Sequence, residues 1–301
     1  MANLEGRRVL MAAVGGVAFA VASAACAQVG ADLNITPKRI VAETASRTAT
    51  VYIFNRGTAP ATYAIGLVDR AMTPDGQIRP VDEVAKTPGG GQIVGALQSA
   101  AQLIIFTPRR VTLVGGDSQT VRIRFLRPGD LKVGEYRTHL TVTTLPPEDV
   151  GLTADQAAAK LGQGQLSMRV TPLFSLSIPV IVRQGPPDVR AAIGQIAVRV
   201  EDAGPGSHAP GGREARLSLD LVRQGASSLY GDVEVRAING AKNAPPIGGV
   251  RGVAVYTEVA SRTIAVPLTR IPAAGERLMI TFRDDDTRPG AVLATAAFTA
   301  P

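Results

Sequence analysis

Residues 166–183 read Leu-Ser-Met-Arg-Val-Thr-Pro-Leu-Phe-Ser-Leu-Ser-Ile-Pro-Val-Ile-Val-Arg. Every even position carries an apolar side chain or a proline, whereas most odd positions carry serine, threonine or arginine. A period of two predicts a β-strand with one apolar face. At about 3.3 Å per residue the strand would extend roughly 60 Å, against about 17–20 Å for a usual strand. No single small sheet buries a face of that length.

Two prolines, Pro172 and Pro179, lie inside this stretch. Proline cannot donate a ladder hydrogen bond, so within sheets it is confined to edges and bulges. The pattern therefore predicts an edge strand that presents part of its apolar face outside its own domain. The alternative is a pair of ordinary strands that join at Pro172.

The chain has 301 residues, which is the length of two ordinary domains. Its formal net charge is +7, and it contains no tryptophan. The arginines are scattered and are not interleaved with stacking aromatic residues, so the charge does not favour nucleic-acid binding.

The first residues have the composition of an export signal. Arg7 and Arg8 precede an apolar run of about thirteen residues, and the Ala-Cys-Ala sequence at 25–27 resembles a signal-peptidase site. We therefore predict that residues 1–27 form a cleaved signal peptide and that the protein is exported. The run is too short to span a membrane, and no later stretch is long enough, so no stable membrane insertion is expected.

Cys26 is the single cysteine of the chain. A lipoprotein cleaved before Cys26 is the alternative, but Ser23 stands where a bulky aliphatic residue is usual. Cleavage after Ala27 leaves no cysteine, so the mature fold would depend on its apolar core and not on disulfides.

The rest of the chain alternates short strand patterns with turn residues. About seven strands in each half, with turns every eight to twelve residues or so, predict an all-β protein of two immunoglobulin-like β-sandwiches with a cleft between them. The sequence Gln184-Gly185-Pro186-Pro187 has the strongest linker composition in the chain. We therefore predict one domain at 28–184 and a second at 185–301. Residues 83–99 and 146–165 lack the alternation and are predicted loops, with a short helix at 153–161 as the alternative for the second segment. The strands predicted in the second half are 193–200, 217–223, 232–238, 252–256, 262–268, 278–283 and 292–298.

No motif in the sequence predicts catalysis. The two histidines, His139 and His208, are far apart, and no metal-ligand cluster, phosphate-binding loop or nucleophile elbow is present. The acidic run at 284–286 is more typical of a solvated turn than of a calcium site. We therefore expect no enzyme activity, no cofactor and no metal.

Several segments of the chain can be compared with known families as a set. In the first half they are Pro-Lys-Arg-Ile at 37–40, Thr-Pro-Arg-Arg-Val-Thr-Leu at 107–113, Gln-Thr-Val-Arg-Ile at 119–123 and Gly-Glu-Tyr-Arg-Thr-His-Leu at 134–140. In the second half they are residues 228–232 and 252–256. Together they resemble the periplasmic pilus chaperones of the chaperone–usher pathway, and the two segments of the second half resemble its alternative or archaic branch. The resemblance covers nearly all of the chain after the signal peptide and is strongest in the first half.

The resemblance implies a chaperone that binds pilus or fimbrial subunits and delivers them to an outer-membrane usher. A chaperone of this family completes the subunit's unfinished immunoglobulin-like fold with an exposed strand, and a first-strand arginine holds the subunit's C-terminal carboxylate. Arg39 matches that arginine. The residues that match the donor positions or flank them are Leu166, Met168, Val170, Pro172, Phe174 and Leu176.

One family position is not conserved in this chain. The second carboxylate anchor of the family is a lysine, and the matching place falls near Ser177 or Pro179. Arg137, on the neighbouring predicted strand, is the candidate replacement.

An exported β-sandwich that is itself a fibre subunit or a binding module is the alternative function. A subunit would lack one strand of its own domain and would polymerise. A chaperone should be monomeric or weakly dimeric when purified alone.

Overall fold

A computed structural model of the chain describes residues 32–146, 173–202, 212–238, 240 and 244–301. Two short helices, α1 (Val81–Val84) and α2 (Gly90–Ala96), and a 3-10 turn at Ala101–Leu103 accompany the strands of the first domain. Those strands are β1 (Leu33–Thr36), β2 (Ile40–Ala42), β3 (Thr48–Asn55), β4 (Ala61–Val68), β5 (Arg70–Met72), β6 (Ile78–Pro80), β7 (Ile104–Thr107), β8 (Arg110–Leu113), β9 (Ser118–Phe125), β10 (Gly134–Thr144) and β11 (Ser175–Gln184).

The first domain is a sandwich of two sheets. One sheet has the strand order β1-β3-β9-β7, and the other has the order β2-β11-β10-β4-β8. Alternate residues of both sheets point inward and form one apolar core. Its most deeply buried members include Ile35, Val51, Ile53, Tyr63, Val121, Ile123, Leu140, Val142, Val180 and Val182.

Strand β11 contains the described part of the long alternating stretch. It pairs antiparallel with β10 from Gly134↔Gln184 to Thr143↔Ser175. On its other edge β2 pairs with it in parallel, but only at residues 180–182. Among the described residues, the β11 edge at 175–179 therefore has no neighbouring strand. Pro179 lies in this unpaired stretch, where proline is tolerated.

The described ranges of the second domain contain seven strands: β12 (Ala191–Asp202), β13 (Arg213–Arg223), β14 (Leu229–Ala237), β15 (Gly248–Val255), β16 (Ser261–Leu268), β17 (Arg277–Asp284) and β18 (Val292–Thr299). Each overlaps one of the predicted segments. They form one sheet in the order β12-β13-β16-β15-β14-β17-β18.

This sheet folds over on itself to make a second sandwich. Strands β15 and β16 pair only at Gly248↔Leu268, so the sheet turns there, and the end strands β12 and β18 contact each other. A single core fills the space between the two layers and includes Leu219, Val235 and Phe282. The predicted fold class, an all-β chain of two immunoglobulin-like sandwiches, is confirmed.

The prediction that residues 83–99 form a loop is wrong in part. The end of α1 and the whole of α2 lie within this segment. Gly89 adopts a left-handed φ of 73° immediately before α2. The glycine-rich sequence has little helix propensity of its own, so packing stabilises these turns. Val84 is fully buried, and Ile93 packs against the core of the second domain.

The connection between the domains is short. Strand β11 ends at Gln184 and β12 begins at Ala191, so the predicted boundary after residue 184 falls where β11 ends. No helix in the described ranges is long and apolar enough to cross a membrane. The predicted signal peptide at 1–27 and most of the predicted loop at 146–165 lie outside the described residues.

We predict that Gly231→Ala destabilises the protein whereas Gly66→Ala does not. A Cβ atom on Gly231 of β14 would lie 1.9 Å from the carbonyl oxygen of Arg283, so β14 and β17 would have to separate. Such overpacking costs about 1–3 kcal/mol. A Cβ on Gly66 of β4 would meet nothing within 4 Å, so that variant should be neutral or slightly stabilised. Urea unfolding of both variants measures the difference, and equal midpoints would contradict it.

Candidate functional site

Arg39 lies where the first domain meets the second. It directly precedes β2, whose first residue, Ile40, pairs with Val180 of β11. The Arg39 guanidinium carbon stands 4.4 Å from the ring centroid of Tyr230, and Nη2 donates to Oδ2 of Asp286 at 3.0 Å. Tyr230 and Asp286 belong to the second domain, so Arg39 bridges the cleft between the domains.

Arg183, near the end of β11, is the centre of a larger ion-pair network. Its side chain is only 2% exposed. Nε donates to Glu135 Oε2 at 2.9 Å, Nη1 donates to Glu43 Oε1 at 2.9 Å, and Nη2 donates to Asp286 Oδ2 at 2.6 Å. Asp286 therefore accepts hydrogen bonds from Arg39 and Arg183 with the same oxygen.

The pKa values of this network follow from its charges. Burial alone would lower the pKa of Arg183, but the Glu135 and Asp286 carboxylates outweigh burial and raise it. Burial alone would raise the pKa of Asp286, but the hydrogen bonds and charges of Arg39 and Arg183 outweigh burial and hold it below its usual value. Arg183 and Asp286 are therefore both ionised at neutral pH.

The acidic run at 284–286 is not the solvated turn that the sequence suggested. Asp284 is buried, and its carboxylate accepts hydrogen bonds from the backbone N–H groups of Asp286 (3.1 Å) and Arg288 (2.7 Å) and from the Thr287 hydroxyl (2.6 Å). These bonds close the loop after β17 and direct Asp286 toward the first domain. Within the described ranges, no group of His, Cys, Asp or Glu side chains is arranged to hold a metal ion.

Arg137, the candidate replacement for the family lysine, is buried by the second domain. Its side chain is 1% exposed and forms an ion pair with Glu258, which is itself fully buried. The guanidinium also lies 3.8 Å from the ring centroid of Tyr256 and donates to the carbonyl of Arg70 at 3.0 Å. Arg137 therefore already binds a carboxylate of its own chain through Nη2, whereas its Nε and Nη1 are buried without a hydrogen-bond partner among the described residues.

The donor positions are only partly described. Phe174 is 43% exposed just before β11, and Leu176 packs at the margin of the first domain's core. The Phe174 carbonyl accepts a hydrogen bond from the Thr144 N–H at 2.8 Å, so the pairing with β10 extends to Phe174. The four positions that lie outside the described residues are Leu166, Met168, Val170 and Pro172.

Sequence reasoning missed Arg183, Glu135, Asp286 and Glu258 as site residues. Glu135 of β10 and Arg183 of β11 are cross-strand neighbours on the side of the sheet away from the core. The sequence pattern indicates only that this side is polar. Asp286 is distant from both in sequence. The signal available was a cluster of charged odd positions on two strands predicted to pair.

Comparison with known proteins gives matches among solved structures only. No family model and no curated protein matches the chain. The Escherichia coli chaperone DraB is 16% identical, with 90% of this chain and 96% of that chain covered and a TM-score of 0.40. The periplasmic chaperone SfaE is 11% identical, with 89% and 99% covered and a TM-score of 0.39. A chaperone–tip subunit complex, CsuC–CsuE of archaic chaperone–usher pili from Acinetobacter baumannii, is 12% identical, with 90% and 98% covered and a TM-score of 0.41.

His139 lies on the face of β10 that points away from the core of the first domain, and this face is also shielded from solvent. It is buried between Pro179 of β11 and Val68 of β4. Burial, together with the positive charges of Arg137 and Arg70, lowers the pKa of His139 to about 3.

We therefore predict that His139 makes the protein less stable as the pH falls from about 6.5 toward 3. An unfolded histidine binds a proton near pH 6.5, but the folded one stays neutral, so unfolding takes up a proton in this range. The loss approaches about 1.4 kcal/mol per pH unit. His139→Leu and His139→Gln cannot titrate, so their unfolding free energies should fall less between pH 7 and about pH 4. Urea unfolding across this range measures it, and parallel curves for all three proteins would contradict the prediction.

Proposed function

We propose that this chain is a periplasmic chaperone of the chaperone–usher pathway. It binds pilus or fimbrial subunits by donor-strand complementation and delivers them to an outer-membrane usher. The observation that carries the proposal is the edge of β11 that no described strand pairs with, which begins beside the exposed Phe174 and ends at Arg39.

The unpaired edge supports strand addition. Beyond residues 180–182, where β2 pairs, β11 offers its main-chain N–H and C=O groups on the side away from β10. An exposed strand edge of this kind is a template for a strand of another chain. A strand that enters at 175–179 would lie in line with β2 and continue the same sheet.

The side chains before β11 supply the apolar contacts. Phe174 is exposed although it is large and apolar, and the even positions that precede it in the sequence are Pro172, Val170, Met168 and Leu166. Burial of each large apolar side chain contributes about 1.5–3 kcal/mol. A subunit with an open apolar groove would supply the matching surface.

The position of Arg39 supports its role as the carboxylate anchor. β2 runs parallel to β11 and starts at Ile40, opposite Val180. An added strand that also runs parallel to β11 would have its carboxyl end beside Pro179 and hence beside Arg39. The planar guanidinium donates to both oxygens of a carboxylate, and the Tyr230 ring holds its plane. We propose Arg39 as the principal anchor, with Arg137 secondary because Glu258 holds it.

We predict that Arg39→Ala lowers subunit capture at least roughly tenfold, because a hydrogen bond to a charged group is worth about 1.5–3 kcal/mol. Arg39→Lys should restore capture only in part, since lysine lacks the guanidinium fork. The measurement is co-purification with each small exported β-protein encoded beside the gene, co-expressed singly.

The matched control for this experiment is Arg190→Ala, which removes an exposed arginine that also pairs with an aspartate, Asp188. It should capture subunits normally. Normal capture by Arg39→Ala would remove Arg39 from the site. If the unmodified protein captures none of the candidates and polymerises alone, the fibre-subunit alternative replaces the chaperone proposal.

We predict that Phe174→Glu abolishes capture and that Leu173→Glu does not. The two residues are adjacent, exposed and apolar, but they have opposite parity along the strand. A carboxylate at position 174 would enter the apolar groove of the subunit at a cost of several kcal/mol, whereas one at position 173 would face away. Co-purification measures capture, and circular dichroism confirms that each variant is folded. Equal capture by the two variants would show that this face does not contact the subunit.

A further inference from the structure

The segment of residues 70–96, which we call the strap, leaves the first domain after β4 and contains β5, β6, α1 and α2. It returns to the first domain at β10. There the Arg137 N–H donates to the Gln98 carbonyl at 2.8 Å, and the Ala100 N–H donates to the Arg137 carbonyl at 3.2 Å. Both ends of the strap are therefore attached to the five-stranded sheet of the first domain.

The apolar side chains of the strap pack into the other domain. Met72 is 1% exposed and belongs to the core of the second domain. Ile78 and Ile93 pack against the same core. The strap thus starts and ends on one domain while it buries its apolar residues in the other.

Backbone hydrogen bonds attach the strap to the second domain as well. The Met72 N–H donates to Glu258 Oε1 at 2.7 Å, and that oxygen also accepts a hydrogen bond from Arg137. The Thr263 N–H of β16 donates to the carbonyl of Pro74 at 3.0 Å. These contacts lie on the hairpin between β5 and β6 and at its base.

Gly76, at the tip of this hairpin, fits closely against Arg262 of β16. Its φ is +84°, and a Cβ atom built there would lie 2.1 Å from Arg262 Nε. Arg262 in turn donates to the Ala254 carbonyl at 3.0 Å, which fixes the side chain. The tip therefore has no room for a larger residue without movement of the hairpin or of Arg262.

We infer that the strap sets the orientation of the second domain relative to the first, and thereby positions Tyr230 and Asp286 against Arg39. The chain connection after Gln184 is one attachment, the network around Arg183 is a second, and the strap is a third. A single linker permits rotation of one domain about another, whereas separate attachments at different places define one orientation. Among these three attachments, the strap is the one that lies outside both sandwiches and buries apolar side chains in the second domain.

The inference does not depend on the proposed function, so it is tested without any subunit. Spin labels are placed on cysteines at two exposed positions, Thr50 of β3 and Thr295 of β18, in a chain with Cys26 replaced by serine. Pulsed electron paramagnetic resonance then gives the distribution of distances between the domains. The unmodified strap should give one narrow distribution.

Two strap variants should broaden that distribution. Met72→Ala removes the buried side chain, and Ile93→Ala truncates a partly buried one that packs against the same core. The matched control for both is Met279→Ala, which truncates an exposed methionine of β17.

The control should keep the narrow distribution, and circular dichroism should show both sandwiches folded in every variant. If Met72→Ala unfolds the second domain, Ile93→Ala decides the matter, because Ile93 is only partly buried at the margin of that core. A distribution as narrow in Ile93→Ala as in Met279→Ala would overturn the inference.

Discussion

The arrangement of the cleft depends on one carboxylate, that of Asp286, which is shared by Arg39 and Arg183. Arg183 is almost completely buried, and a buried guanidinium is costly unless its charge is compensated. Its partners come from both domains, since Glu135 lies on β10 and Asp286 follows β17. Glu135 and Glu43 of the first domain also pair with Arg183, but its Nη2 gains a carboxylate only where the two sandwiches meet, and the same contact brings Arg39 and Tyr230 together.

The period-two pattern predicted the strands well because each sandwich buries one face of each strand in its own core. It could not predict what covers the opposite face. On β10 the positions of Glu135, Arg137 and His139 alternate with the core positions and look solvent-facing in the sequence, yet all three are buried. Their cover comes from the second domain and the strap, through contacts between residues far apart in the chain. For the same reason the acidic run that contains Asp286 could not be distinguished from an ordinary surface turn.

The strap shows a second limit of local reasoning. Its sequence is short of periodic apolar residues, and its helices are too brief to be stable alone. Met72 and Ile93 become ordered because they pack with the apolar core of the second domain, outside the local sequence. The reading of residues 83–99 as a loop failed for this reason, whereas Arg39 was placed in the cleft by its match to a family motif and not by periodicity.

The two arginines considered as carboxylate anchors differ in the partners that their present carboxylates, Asp286 and Glu258, would keep if the arginine bound another chain. If Arg39 turned to a carboxylate of another chain, Asp286 would keep its hydrogen bond to Arg183, so no buried charge would lose all its partners. If Arg137 did the same, Glu258 would keep only the Met72 N–H in a fully buried position, and an uncompensated buried charge costs several kcal/mol. Exchange is therefore much less costly at Arg39. Because Arg183 also holds the Asp286 oxygen, Arg39 is the better of the two as the proposed carboxylate anchor, and the pair of Arg137 and Glu258 is better suited to hold the domains together.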